Sequence, residues 1–305
     1  MTAAALPPSP GVTVRAPAKV NLHLGVGAPR PDGLHPLATV YQAVGLYDDV
    51  TVCDAPEWRV ELVEPDPSVP LDDGNIALRA GRALVEHHGL DLAAEIRIDK
   101  GIPVAGGMAG GSADAAATLV ALDRLWGLDT SDTDLLRIAA ELGSDVPFAL
   151  IGGTAMGTGR GELVEPLADA TDLWWVVVLS DDGLSTPAAY RHFDELHPDA
   201  PSEPPHPDAL VAALAAGDVA AVADRLENDL WAAARDLRPD LVEVEADLRS
   251  MDPLAVLLSG SGPTLLMLFG DVDAARAALA DVTALGHRAS IAPGPVAGAH
   301  VVHYG

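Results

Sequence analysis

Lys19 and Asn21 stand two residues apart in the segment Pro17-Ala18-Lys19-Val20-Asn21. On a strand that spacing points an ammonium and an amide to the same face. Farther along, Gly143-Ser144-Asp145-Val146-Pro147-Phe148 sets a carboxylate just past an expected helix end. Between them, Gly106, Gly107, Gly110 and Gly111 crowd four glycines into six positions, followed by Ser112 and an Ala-rich apolar run. Ser259-Gly260-Ser261-Gly262-Pro263-Thr264 forms a second glycine turn between two apolar runs. Phosphoryl transfer asks for such a set: a cradle for phosphates, a carboxylate to orient or deprotonate a hydroxyl, and a cation for developing charge. Taken singly, each segment has a plainer reading. The glycine loop could be a linker or a capping turn, Lys19 a surface residue, Asp145 a helix cap, and 259–264 a simple hairpin.

The glycine loop is the most informative stretch. Alternation over 94–98 predicts a strand before it, and the apolar run over 113–125 predicts a helix after it. Glycine lets a backbone turn tightly and approach a ligand, having no Cβ. A helix start offers unpaired N–H groups and a positive dipole end, which together suit phosphate. Spacing excludes two commoner phosphate loops. A Walker loop requires lysine where Ser112 stands, and the dinucleotide fingerprint requires glycines where Met108 and Ala109 stand.

The elements that must position these residues are legible in outline. Strand-like runs fall at 12–16, 21–26, 38–44, 49–53 and 59–63, with a turn-rich loop at 29–35. Helical spacing covers 75–88 and 132–142, the latter ending at Gly143. A glycine-rich stretch at 152–161 and a polar one at 166–172 suggest a domain boundary. The expected division is a loose tail over 1–10, a first domain over 11–163 and a second over 164–305. The second half reads as a strand at 174–179, several Ala-rich helices between 187 and 250 broken by prolines at 201–207, strands at 254–259 and 264–269, a helix at 272–285, and final strands near 289 and 300–303. Helices mixed with largely antiparallel strands give the class α+β.

Composition bounds the function. A chain of 305 residues with 49% apolar content can bury one large or two medium cores. No apolar run approaches a membrane span and the start lacks a signal peptide's pattern, so a cytoplasmic protein is expected. Cys53 is the single cysteine and reads as an ordinary strand residue. The net charge of −27 argues against nucleic acid and anionic membranes as partners. It would also repel a free nucleotide, so a nucleotide site needs local donors and a divalent cation. Of 18 basic residues only Lys19 and Lys100 are lysine. Arginine does not replace lysine where a compact ammonium is wanted.

These segments, in this order, resemble the GHMP kinase superfamily. The similarity extends over roughly 12–290 and is closest to its 4-diphosphocytidyl-2-C-methyl-D-erythritol kinases, because Arg30-Pro31-Asp32-Gly33-Leu34-His35 looks like the substrate loop peculiar to them. The resemblance implies a two-domain fold: an N-terminal domain like ribosomal protein S5 domain 2 and a ferredoxin-like C-terminal domain, with the site between them. It implies ATP-dependent phosphorylation of the substrate's 2-hydroxyl, in non-mevalonate isoprenoid precursor synthesis. ATP would place its phosphates on Pro103, Val104, Ala105, Gly106, Gly107, Met108, Ala109, Gly110, Gly111 and Ser112, with Asn75 and Lys100 near the adenosine. Mg²⁺ would arrive with ATP and touch Ser112. Asp145 would act as base, Lys19 would support it, and Asn21 would position the methylerythritol part. Leu34, His35, Thr186 and Tyr190 would hold the cytidine, and Ser261 and Gly262 would also meet the substrate.

Two departures stand out. Relatives often carry an aromatic residue where Leu34 stands, which would stack on cytosine at about 1–3 kcal/mol per base. They often have glycine at Ala105. A different GHMP kinase, acting on homoserine or mevalonate, is the alternative enzyme, and the 32–35 loop argues against it. A non-catalytic sensor is the alternative from another class, and the joint presence of Lys19, Ser112 and Asp145 argues against that. A monomer or homodimer is expected.

Overall fold

The computed structural model describes residues 11–104, 106–180 and 182–304. The first strands are longer than their apolar runs suggest. β1 (Val12–Val26) absorbs both of the first two predicted segments, and β2 (Leu37–Asp54) absorbs the next two. Pro17 divides the pattern in the sequence, yet the strand continues through a register shift between Pro17 and Ala18. Val12, Val14 and Ala16 turn inward while Arg15 faces its register partner Asp49, bound through two hydrogen bonds of 2.8 Å.

β3 (Arg59–Leu62), α1 (Ile76–His88), β4 (Ala94–Lys100), α2 (Gly110–Trp126), α3 (Asp132–Leu142), α4 (Val146–Ile151), β5 (Thr154–Thr158) and β6 (Leu163–Pro166) follow. The main sheet runs β12-β1-β2-β4-β3, where β12 (His300–Tyr304) is the last strand of the chain, with β5 added to β2 and β6 to β5. Helix α2 lies on this sheet through Ala113, Ala115, Ala116, Ala117 and Ala121, small residues that let it seat closely.

The second half comprises β7 (Leu173–Leu179), α5 (Thr186–Leu196), α6 (Asp208–Ala216), α7 (Val219–Ala223), β8 (Glu227–Asn228), α8 (Trp231–Leu237), α9 (Asp240–Arg249), β9 (Ala255–Leu258), β10 (Leu265–Phe269), α10 (Val272–Ala284), β11 (Arg288–Gly294) and β12 (His300–Tyr304). Its antiparallel sheet runs β11-β7-β10-β9. The order 4-1-3-2 of its own strands, with helices after the first and third, is the split βαβ pattern of ferredoxin-like domains.

The boundary expected after 163 falls inside β6, and the glycine-rich stretch at 152–161 contains β5, which pairs with β2. β8 and β12 both return to β1. Sheet edges carry unpaired backbone groups that recruit distant segments, so division in space does not follow a single cut in the chain. Gln42 ties the halves together. It accepts a 3.0 Å hydrogen bond from the buried Trp175 indole and donates to Asp169 at 3.0 Å. Among the described residues, no helix is long and apolar enough to cross a membrane.

Candidate active site

The glycine-loop side of the site begins where β4 ends. Helix α2 starts at Gly110, earlier than predicted, so the last two glycines of the loop are its first residues. Ala109 caps it in the left-handed region at φ 59°, and no side chain closes its N-terminus. Gly107 also has positive φ, and a Cβ there would meet the carbonyl oxygen of Ser259 at 2.8 Å. Only glycine permits this contact, which presses the two glycine turns together.

A cavity of about 350 Å³ opens above the loop, lined by Asn75, Lys100, Pro103, Val104, Gly106, Gly107, Met108, Ala109, Gly110 and Gly111, with Ser68, Val69, Pro70, Gly74, Ile76 and Asp114. Ala105 lies outside the described residues. Ser112, half-buried in the first turn of α2, is not among the lining residues. Asn75 is not helical, as the spacing suggested, but caps α1. Its side chain accepts from Ala77 N–H at 2.9 Å and donates to the Pro70 carbonyl at 2.7 Å.

Lys100 is enclosed. Its ammonium donates to Asp48 at 2.5 Å and Asp114 at 2.8 Å. Burial, the largest single influence, lowers its pKa, but the two carboxylates together raise it. Asp48 also accepts from the N–H groups of Gly101 and Ile102, so this cluster anchors the turn that launches the loop.

On the other side of the loop, around Lys19, lies a second cavity of about 380 Å³. Lys19 and Asn21 do share a face, and the ammonium donates to Asn21 Oδ1 at 2.8 Å. Asn21 in turn donates to Thr39 at 2.7 Å, which fixes its orientation. Asp145 approaches from the start of α4 with its Oδ2 3.7 Å from Lys19 Nζ. Its side chain makes no capping hydrogen bond, and Pro147 presets the helical turn instead. The carboxylate is therefore turned to the cleft. Tyr41 lies beneath, its ring 5.4 Å from the Lys19 ammonium. Burial, then the charge of Asp145, pushes its phenol well above the usual value.

Thr186 and Ser261 join across the cavity rim through a 2.7 Å hydroxyl contact. Ser261 and Gly260 line the cavity whereas Gly262 does not. Asn228, which carried no signal in the sequence, donates to the carbonyls of Leu258 and Gly260 and holds this turn in place.

The same cleft widens into a cavity of about 550 Å³ lined by Gly33, Leu34, His35, Leu37, Ser144, Arg160, Thr186, Pro187, Tyr190, Arg191 and Asp194. His35 Nδ1 lies 2.8 Å from the Gly27 carbonyl, an acceptor only, so this nitrogen carries the proton. The other nitrogen is 3.7 Å from Asp194. The His35 ring sits 5.0 Å from Tyr190 and meets Phe193 edge-on. Tyr190 is raised above the usual phenol value, chiefly by burial. Leu34 is 43% exposed at the mouth. The structure thus brings Lys19, Asn21, Leu34, His35, Asp145, Thr186, Tyr190 and Ser261 into adjoining chambers. Sequence reasoning passed over Arg160, Arg191 and Asp194. Arg160 lies in a Gly-Arg-Gly run within the glycine-rich stretch that suggests a domain boundary.

Residues 75–153 match the family model of the GHMP kinases N terminal domain, and 210–287 that of the GHMP kinases C terminal. A homoserine kinase from Cytophaga hutchinsonii shares the fold at a TM-score of 0.74 and 20% identity, with 96% of this chain and 97% of that one covered. The two matched family models and the two-domain fold make this chain a small-molecule kinase of the GHMP type, which uses ATP.

A 4-diphosphocytidyl-2-C-methyl-D-erythritol kinase of Nocardioides sp. is 62% identical over 95% of this chain and 100% of its own. One from Thermobifida fusca is 51% identical over 95% of this chain and 98% of its own. A crystal structure of 4-(cytidine 5'-diphospho)-2C-methyl-D-erythritol kinase superposes with a TM-score of 0.76 at 32% identity, covering 93% of this chain and 99% of that one. The chain belongs to the 4-diphosphocytidyl-2-C-methyl-D-erythritol kinase family.

Proposed function

We propose that this enzyme transfers the γ-phosphoryl group of ATP to the 2-hydroxyl of 4-diphosphocytidyl-2-C-methyl-D-erythritol, a step in isoprenoid precursor synthesis. The observation that carries the reading is the Lys19–Asp145 approach of 3.7 Å in a chamber that opens on one side to the glycine loop and on the other to His35.

In this reading Asp145 accepts the hydroxyl proton as the substrate oxygen attacks the γ-phosphorus. The new O–P bond forms while the bond to the β-phosphate oxygen breaks, releasing ADP. Lys19 faces Asp145 and offsets charge on the transferring group, and Asn21 orients the acceptor carbon chain. His35 lines the base chamber, and with Nδ1 spent on the Gly27 carbonyl its second nitrogen is left to read the polar edge of cytosine. Tyr190 supplies a ring for the base, Leu34 covers it by apolar contact, and Thr186 and Ser261 hold polar parts of the substrate.

Mg²⁺ fits this donor set. Asp145 and, in the first turn of α2, Ser112 offer hard oxygens of the kind Mg²⁺ takes alongside phosphate oxygens and water. When bound, it would neutralise phosphate charge, and Ser112 would hold it. The acidic surface is consistent with a cytoplasmic enzyme that avoids nucleic acid, working as a monomer or homodimer.

The test is ADP release with Mg-ATP, comparing the cytidine compound with the same sugar phosphate lacking cytidine. Turnover confined to the cytidine compound is expected. Equal turnover of both would remove the base-reading role of the 32–35 loop, and turnover of neither would remove the proposed substrate.

A further inference from the structure

The cleft is one path with two named ends, and a single cation stands at its middle. Lys19 lies only in the acceptor chamber, and Arg191 only in the base chamber. Arg160 lines both. Lys100, the other lysine, is already enclosed by Asp48 and Asp114.

Arg160 is also built to reach. It sits between Gly159 and Gly161, both at positive φ, in the turn joining β5 and β6. A Cβ on Gly161 would run into the hydroxyl of Tyr41, so the turn is pressed against the chamber floor. Glu162 fixes the near end of the side chain. It accepts from the Arg160 backbone N–H at 2.5 Å and from Nε at 3.3 Å. Burial acts to raise the Glu162 carboxyl, but these N–H groups and the guanidinium outweigh it and hold it ionised below its usual value. The two terminal amino groups of Arg160 have no partner among the described residues. A guanidinium held by Nε and free at both Nη atoms presents the planar fork that binds phosphate oxygens bidentately.

A substrate that spans both chambers carries anionic charge where they meet, in a protein of net charge −27. Resting on the reading above, we infer that Arg160 is a specificity-determining residue that clamps the diphosphate bridge of the acceptor substrate, between the base held at His35 and the hydroxyl presented to Asp145. It thereby rewards nucleoside diphosphates over nucleosides and sets the distance between base and reacting oxygen.

Calorimetric titration of the full chain with CDP and with cytidine, for the native protein and for Arg160→Met, Arg160→Lys and Arg191→Met, tests this. Arg160→Met should weaken CDP binding about tenfold or more while leaving cytidine binding and the KM for ATP unchanged. Arg160→Lys should recover part of the loss, since it restores charge without the fork. Arg191→Met should change CDP binding less than Arg160→Met. CDP affinity indifferent to Arg160→Met, or lost instead in Arg191→Met, would overturn the assignment even if the native enzyme turns over the cytidine compound. Loss of CDP binding in Arg160→Met together with no turnover by the native enzyme would sink the proposed reaction and leave the diphosphate clamp standing. A native chain that binds neither CDP nor cytidine would overturn both.

Discussion

The two lysines of this chain stand on either side of the glycine loop in opposite circumstances. Lys100 lies beneath the loop between two carboxylates at 2.5 and 2.8 Å, with Asp48 wholly buried. Lys19 is also buried, but its carboxylate partner stands 3.7 Å off and is partly open to the cleft. One ammonium is satisfied by the fold, and the other is left with capacity to spare. The same residue type therefore serves as a structural anchor in one region and, in the proposed reaction, as chemistry in the other, decided by whether the surrounding carboxylates close on it. A chain that otherwise uses arginine keeps lysine at both places because each calls for a compact point charge.

The sharpest way to break this comparison is at the chemical end. Asp145→Asn should lower kcat by about 10²–10⁴-fold while ATP still binds, because the proposed general base is lost. Steady-state turnover with the cytidine compound, alongside nucleotide titration, measures both. Near-native kcat would mean that Asp145 is not the base. At the structural end the expected loss is stability. Lys100→Met leaves Asp48 and Asp114 facing each other in the interior, which should cost about 3–5 kcal/mol of folding free energy. Lys19→Met should cost less than Lys100→Met, since it strands a single carboxylate that is partly open to water. Urea unfolding of the two variants side by side decides it, and equal losses would erase the distinction drawn here.

How far the sequence anticipates this arrangement follows the same division. The glycine loop, its strand and its helix are contiguous, so local periodicity and glycine spacing suffice to place them. Lys19 and Asn21 were legible for a similar reason, since two residues on one strand obey its alternation. Asp145 was visible as a carboxylate past a helix end, but its distance to Lys19 depends on α4, a six-residue helix too short to show a period. Arg160 and Asn228 were invisible. Each gains its meaning from a pairing of remote strands: β5 and β6 for Arg160, and the two-residue β8 against β1 for Asn228. The glycines of 152–161, which suggest a domain boundary in the sequence, fold a hairpin onto the edge of β2. The cluster of Asp48, Lys100 and Asp114 was missed because its members are ordinary charged residues, 52 and 14 positions apart, that acquire function only on burial.

That cluster supports the finest test of the comparison, through pH. Burial foremost, and then the neighbouring charge of Asp48, raises the Asp114 carboxyl well above the usual carboxylate range, against the pull of Lys100. Its buried Oδ1 has no hydrogen-bond partner, so the ionised form is poorly compensated. A carboxyl whose folded pKa is raised favours the folded state most while protonated. Its contribution is fully present below the unfolded value and is lost as pH rises through the folded one, at about 1.4 kcal/mol for each unit of elevation. Asp114→Asn abolishes that titration and keeps a polar partner for Lys100. The variant should therefore unfold with a shallower fall in stability between acid and neutral pH than the native enzyme, and should be at least as stable at neutral pH. Urea midpoints across that range measure the slope. An unchanged slope would show that Lys100 compensates Asp114 fully, and the nucleotide end of the site would then be as well balanced in charge as it is closed in space.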